Sequence, residues 1–360
     1  MLKKNATQHM VSLRSIIAVF WVMISAAACI SPLQNAVLPT PVYSIQEYTP
    51  TTTSTTVPTV TPTATINPLV TLTPTSDPFM DLYLESLKLR NYGGGVLQYE
   101  GNLYGADGFS RKLFKYRSEG LDLYGFINIP DGDGPFPIIV LLHGHVDREG
   151  YYMLDYSMRY ADALAKAGYM AIHPNLRGYA PSENGENILG IGDTIDVLNL
   201  LELVRQQSGS AGLLEKTDGD RIGLWGHSMG GGIVMRMLIV DPEIRAGLLY
   251  ATIHSNEEFN LSHFEKDGRG NEKVIAPASS LAKMSPSNYL SEITAPISIH
   301  HGDLDDVVPI KWSRDLCETL TDMGKEVQCR EYPDQTHTFQ DNGDTNFINS
   351  MIDFFDEYVK

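Results

Sequence analysis

Gly226-His227-Ser228-Met229-Gly230 is the stretch that most restricts how this 360-residue chain can fold. Ahead of it, Arg221-Ile222-Gly223-Leu224-Trp225 reads as a short buried strand. Behind it, Gly230 to Val240 reads as a helix, with Ile233, Met237 and Val240 at helical spacing. A strand that turns directly into a helix has no room for side chains where the two meet, and glycines stand at both ends of this turn. Such a turn holds the Ser228 hydroxyl out in a strained position. The helix that starts there aims backbone N–H groups and its positive end at the same point, which suits a developing negative charge.

The surrounding pattern fits a layered α/β fold. Pro137-Ile138-Ile139-Val140-Leu141-Leu142 is a continuous apolar run, as expected of a strand covered on both faces, and it ends at His143-Gly144-His145. Upstream, Asp81–Arg90 has a helical spacing of leucines, and Phe114–Arg117 with Leu121–Ile129 reads as a hairpin around Ser118-Glu119-Gly120. Downstream, helices are predicted over Tyr151–Ala167, Thr194–Arg205, Lys311–Met323 and Asn346–Tyr358. Strands are predicted over Tyr169–His173, Arg245–Ala251, Pro296–His300 and Glu326–Tyr332. This order predicts a mostly parallel, doubly wound sheet with helices on both faces. Sites in such sheets lie at the carboxyl ends of strands. Ser228, His143–His145, Gly302–Asp306 and His337 all follow predicted strands. The polar segment 254–283 interrupts the alternation after the sixth strand, either as a lid over the pocket or as a surface insertion.

The N-terminal part has a different character. Lys3, Lys4 and Arg14 precede an apolar run from Ile16 to Ala28, which is short for a membrane span but suits an export signal. Ser25-Ala26-Ala27-Ala28-Cys29 is similar to a bacterial lipoprotein signal, although Ala26 stands where leucine is usual. Residues 1–28 are therefore expected to be a signal peptide with Cys29 lipidated, and ordinary cleavage or an uncleaved anchor are the alternatives. Residues 29–78 are rich in Thr and Pro and have little to bury, which predicts an extended linker. Folded structure is expected over residues 79–360. The expected location is the cell surface, membrane-anchored through the lipidated N-terminus, or alternatively the secreted state. Net charge is −17, and residues 1–80 hold only Lys3, Lys4, Arg14, Glu47 and Asp77, so the acidic excess lies in the folded part. That argues against nucleic acid as its ligand. The cysteines, Cys29, Cys317 and Cys329, form no CxxC or Cys/His spacing that would hold a metal.

Taken in chain order, Leu121–Phe126, Val140–Gly144, Asn175–Gly178, Gly226–Gly230, Ser285–Tyr289, Gly302–Asp305 with Val308-Pro309, and His337–Phe339 resemble the α/β-hydrolase superfamily. More narrowly, they are similar to the catalytic domain of prolyl oligopeptidase-type serine hydrolases and to dienelactone-hydrolase-like esterases. The resemblance implies a nucleophile, acid and base in the order Ser, Asp, His. Ser228 takes the first place and His337, in the loop after the last strand, takes the third. The family pattern sets the acid three residues after Gly302 and before Val308-Pro309, which selects Asp305. Asp303 and Asp306 then read as turn residues bonded to their own backbone.

Backbone N–H groups of Met229 and His145 are the implied oxyanion donors. His227 belongs to the turn, with its side chain expected to point away, and His143 is expected to brace the oxyanion loop. His173, His300 and His301 read as satisfied core or strand-end histidines. Asn175 stands where relatives carry an Asp, which weakens any ion pair made there. The large β-propeller of proteolytic members has no counterpart between residues 79 and 118. The implied reaction is acyl transfer to water with no metal or organic cofactor, on carboxylic esters, small amides or short peptides. Esters and small amides are favoured over the peptidase reading. An inactive surface binding protein on the same fold is the third reading, and the intact Ser, Asp and His places speak against it. Outside the cytoplasm Cys317 and Cys329 could pair as a disulfide, the alternative being two buried thiols.

Overall fold

The computed structural model describes residues 77–266 and 274–360. The expected signal segment 1–28, Cys29 and the linker as far as residue 76 lie outside them. Among the described residues one nine-stranded sheet forms the frame. Its strands are β1 (Gln98–Ala106), β2 (Phe109–Ser118), β3 (Leu121–Pro130), β4 (Phe136–Leu142), β5 (Met170–Pro174), β6 (Thr217–His227), β7 (Ala246–Tyr250), β8 (Ile297–Gly302) and β9 (Val327–Tyr332). They lie in the order β1-β2-β3-β5-β4-β6-β7-β8-β9. β1, β2, β3 and β5 pair antiparallel in succession. From β5 across to β9 every pairing is parallel. The carboxyl ends of β4 to β9 therefore share one edge, where the sequence argument expects the site.

Helices cover both faces: α1 (Leu84–Lys88), α2 (Met158–Lys166), α3 (Ile191–Gln207), α4 (Met229–Val240), α5 (Glu257–Lys266), α6 (Ala278–Met284), α7 (Ile310–Asp322) and α8 (Asp341–Tyr358). Alternation along β4 shows why its run is apolar throughout. Ile138, Val140 and Leu142 pack with Leu198, Leu201 and Val204 of α3 and with Ile233 and Met237 of α4. Ile139 and Leu141 pack on the opposite face with Tyr160 and Leu164 of α2 and with Phe347, Met351 and Phe355 of α8. A strand with helices on both sides has no polar face.

The structure departs from the sequence expectations at several boundaries. β1 was not expected, because it is an edge strand with two glycines, two register irregularities and mostly exposed side chains. With β1 counted, the insertion follows the seventh strand rather than the sixth, and it carries α5 and α6. Helix α2 starts at Met158 instead of Tyr151, since the residues before it serve side-chain bonds. The Tyr151 hydroxyl donates to Asn175 Oδ1 at 2.9 Å, and Ser157 Oγ lies 2.5 Å from His173 Nδ1. The helix expected over Asp81–Arg90 is a 3-10 turn at Met80–Leu82 followed by α1. Cys317 on α7 is bonded to Cys329 on β9, with Cα atoms 6.4 Å apart and a sequence separation of 12. In the chain-entropy account, closing a loop of this size adds about 3 kcal/mol of stability.

Candidate active site

β6 ends at His227 and α4 begins at Met229, so a single residue makes the turn. That residue, Ser228, has φ 53° and ψ −115°, a region side chains avoid. Its N–H donates to Tyr250 O at 2.9 Å, and its carbonyl accepts from Gly231 N–H at 3.0 Å. Only glycines allow so tight a junction. A Cβ on Gly226 would lie 2.4 Å from Gly230 O, and one on Gly230 would lie 2.1 Å from Leu142 O. Ser228 is 7% exposed. Met229 N–H opens α4 and so has no acceptor within the helix.

The loops that carry Asp305 and His337 follow β8 and β9. His337 Nδ1–H donates to Asp305 Oδ2 at 2.7 Å. The Asp305 side chain is 0% exposed. Its second oxygen accepts from Val307 N–H at 2.8 Å and Val308 N–H at 2.9 Å. A further imidazole, His301 at the end of β8, reaches the same Oδ2 at 3.0 Å. Burial alone would push the Asp305 carboxyl up. The hydrogen bonds from His301 and His337, with the backbone donors, hold it well below the ordinary carboxylate range. His301 therefore belongs to the site and is not only a strand-end residue, a role that a bare His300-His301 pair does not signal. Its Nδ1 meets Ser313 Oγ at 2.7 Å, which fixes the ring.

Asp303 also differs from expectation. Its carboxylate accepts from Asp334 N–H at 2.7 Å, tying the loop of Asp305 to the loop of His337 instead of capping its own turn. The residue that caps its own loop is Asp305.

His227 is the largest correction. Its ring does not point away from the chemistry. It packs on the His337 ring with centroids 4.6 Å apart, and its Nε2–H donates to His337 O at 2.8 Å. The last strand residue before a one-residue turn lies beside the neighbouring strand ends, and here those deliver the base loop. Burial, then the charge of His337, brings the His227 pKa down to about 3. On its other side His227 Nδ1 accepts from the Tyr156 hydroxyl.

His143, at the start of the loop after β4, is buried and donates from Nδ1 to Gly144 O at 2.8 Å. Burial brings its pKa down to about 4, so it braces the loop as a neutral ring. His145, next along, is exposed. His173 is satisfied by Ser157 and by the Tyr151 hydroxyl, and His300 by Ser298 and the Tyr332 hydroxyl. Asn175 makes no ion pair. Its amide instead joins the Tyr151 hydroxyl to Ala180 O.

Below this loop Arg177 grips Asp196 with two bonds of 2.7 and 2.6 Å and reaches Glu119 at 2.9 Å. Asp193, also buried, is pushed up to about 7 by burial and by the nearby Asp196. This network shapes the Asn175–Tyr179 loop and was visible in sequence only as an Arg-Gly pair.

A strained serine at a helix N-terminus and an imidazole oriented by a buried carboxylate are groups that acyl-transfer chemistry uses. Comparison with known proteins points the same way. A sequence profile of the prolyl oligopeptidase family matches residues 154–360. The chain is 23% identical over 258 residues to the uncharacterised peptidase YuxL of Bacillus subtilis, covering 65% of this chain and 37% of that protein. It is 25% identical over 239 residues to the esterase YjfP of Escherichia coli, covering 63% of this chain and 91% of that one. Among solved structures, acylaminoacyl peptidase of Pyrococcus horikoshii is similar with a TM-score of 0.58 at 23% identity, over 71% of this chain and 42% of that one. A Pyrococcus furiosus esterase is similar with a TM-score of 0.54 at 18% identity, over 75% and 100%. These structures share the α/β-hydrolase fold. The chain spans well under half the length of either peptidase.

Proposed function

The chain belongs to the prolyl oligopeptidase family, and we propose that it is a serine hydrolase that transfers acyl groups to water through Ser228, His337 and Asp305, with carboxylic esters or small amides as substrates. In this reading His337 Nε2 takes the Ser228 proton as Oγ attacks the substrate carbonyl. Asp305 steadies the imidazolium that forms. Met229 and His145 N–H groups receive the oxyanion. The intermediate collapses to an acyl-enzyme as His337 protonates the leaving group, and water repeats the sequence to release the acid. Two observations support the proposal: the 2.7 Å His337–Asp305 bond and the positive φ of Ser228 at the strand-to-helix turn.

Ester preference rests on coverage: the alignment spans nearly the whole of the esterase but little over a third of the peptidase. Selective cleavage of peptides is the competing reading. A fluorophosphonate probe is expected to label the peptide that carries Ser228, and p-nitrophenyl esters are expected to be hydrolysed with higher kcat/KM than aminoacyl-p-nitroanilides. Faster anilide cleavage favours the peptidase reading, and absence of labelling overturns both.

We also propose export and membrane anchoring through an acylated Cys29. The basic residues ahead of the apolar run Ile16–Ala28 support it, and the Cys317–Cys329 disulfide suits an oxidising compartment. Intact mass of membrane-extracted protein should begin at a lipidated Cys29. An unmodified N-terminus there or at Ser31 overturns the anchor.

A further inference from the structure

Acyl transfer as written makes no use of Tyr156 or His227, yet the two side chains form a continuous path. His337 O can only accept a hydrogen bond, so the proton of His227 sits on Nε2, 2.8 Å away. His227 Nδ1 is then bare and must accept, and its donor is the Tyr156 hydroxyl. That commits the one hydroxyl proton of Tyr156 and leaves its oxygen to accept. That oxygen lies against the Gly144 backbone. The contact is tight: a Cβ on Gly144 would lie 2.5 Å from the Tyr156 oxygen and 3.0 Å from Ser228 Cβ. A bridge therefore runs from the Gly144 backbone, packed on the Tyr156 oxygen, through hydrogen bonds from Tyr156 to His227 and from His227 to His337 C=O, passing beside Ser228.

The path has one stable direction. His227 is 2% exposed and stays neutral because burial disfavours its charged form. Its ring is further fixed against Tyr250, with centroids 4.3 Å apart. The Tyr250 hydroxyl accepts from Phe339 N–H at 2.5 Å, so the far side of the base loop is pinned to the same aromatic group.

We propose that Tyr156 and His227 are positioning residues that hold the oxyanion loop and the base loop in register around Ser228. The proposal rests on the acyl-transfer reading above. Near-attack geometry is sensitive at the scale of 1 Å, where misplacement costs on the order of 100-fold in rate. Losing the bridge should thus lower kcat and leave ground-state binding alone.

The test uses the full chain with p-nitrophenyl acetate. Tyr156→Phe and His227→Leu are each expected to lower kcat by about 10- to 100-fold, with KM within about twofold and the thermal midpoint nearly unchanged. The double variant should be no slower than His227→Leu alone, because both changes cut one path. His227→Gln, whose amide N–H can still reach His337 O, should recover most of the loss. Tyr156→Phe deletes a single atom and keeps the test valid should His227→Leu fail to fold. The proposal is overturned by Tyr156→Phe with kcat within twofold of wild type, by losses confined to KM, or by additive losses in the double variant. A fall in thermal midpoint that tracks kcat across the variants also overturns it, since that marks a purely structural role. Wild type that resists fluorophosphonate labelling sinks the acyl-transfer reading itself. Labelled, active wild type beside an unaffected Tyr156→Phe sinks only the bridge.

Discussion

Asp305→Asn is expected to lower kcat/KM on the preferred ester by about 10⁴-fold, roughly 5.5 kcal/mol of transition-state stabilisation, with the fold retained. The reason is the identity of the tautomer. Asp305 Oδ2 accepts the His337 Nδ1 proton, which leaves Nε2 unprotonated, as the proposed base must be. An asparagine amide can instead donate to Nδ1, which moves the ring proton to Nε2 and removes the base. The loop itself should hold, because the asparagine carbonyl still accepts from Val307 and Val308 N–H.

The same substitution has a signature in stability. The folded carboxyl is held below its ordinary value by His301, His337 and backbone donors that outweigh its burial. A depressed group stabilises the native state above its unfolded pKa of about 4, and that contribution is lost as pH falls below it. Asp305→Asn should therefore flatten the acid limb of stability while leaving the alkaline side unaltered in shape. Steady-state kinetics and urea midpoints between pH 3 and 8 check both statements. A variant within about 100-fold of wild-type kcat/KM overturns the orienting role.

The sequence carried the frame because its strongest signals are local. Pro137–Leu142 could only be a strand buried on both faces, and the paired glycines around Ser228 left one geometry for the turn. The loops after the strands offered several candidates, and it was the family resemblance, through the spacing from Gly302 to Val308-Pro309 and the place after the last strand, that selected Asp305 and His337. What the sequence did not carry is lateral contact between loops. His301 meets Asp305, Asp303 meets the Asp334 backbone, and His227 meets His337 only because β6, β8 and β9 end on the same edge. No periodicity reports such encounters, and an isolated histidine is more often a satisfied core residue. β1 escaped for a different reason: an edge strand with glycines and exposed side chains lacks the alternation by which strands are recognised. The start of α2 was misplaced because Tyr151 and Ser157 spend their hydroxyls on partners distant in sequence.

Glu257→Ala is expected to destabilise the folded domain by about 3–5 kcal/mol. Arg236 lies on α4, the helix that begins at Ser228, and its guanidinium is paired with the Glu257 carboxylate at the start of α5. The two side chains are 1% and 4% exposed. Burial raises the Glu257 pKa, and Arg236 and Asn260 work against that rise. Removing the carboxylate leaves a buried cation whose Nε already has no partner. Replacing both residues, as in Arg236→Met with Glu257→Leu, removes the charge as well as the pair and should cost far less than the single change.

The consequence reaches the site. Asn260 bonds both Glu257 and the His254 backbone, and Ile253 N–H donates to Ser228 O at 3.3 Å. Freeing the start of α5 therefore loosens the chain that leads directly to Ser228, so kcat should fall in the single variant even at temperatures where it stays folded, and recover in the double variant. Urea denaturation and ester kinetics on the three proteins decide the matter. A Glu257→Ala variant within 1 kcal/mol of wild type, or a double variant as unstable as the single, would show that the pair does not fasten the insertion to the nucleophile helix.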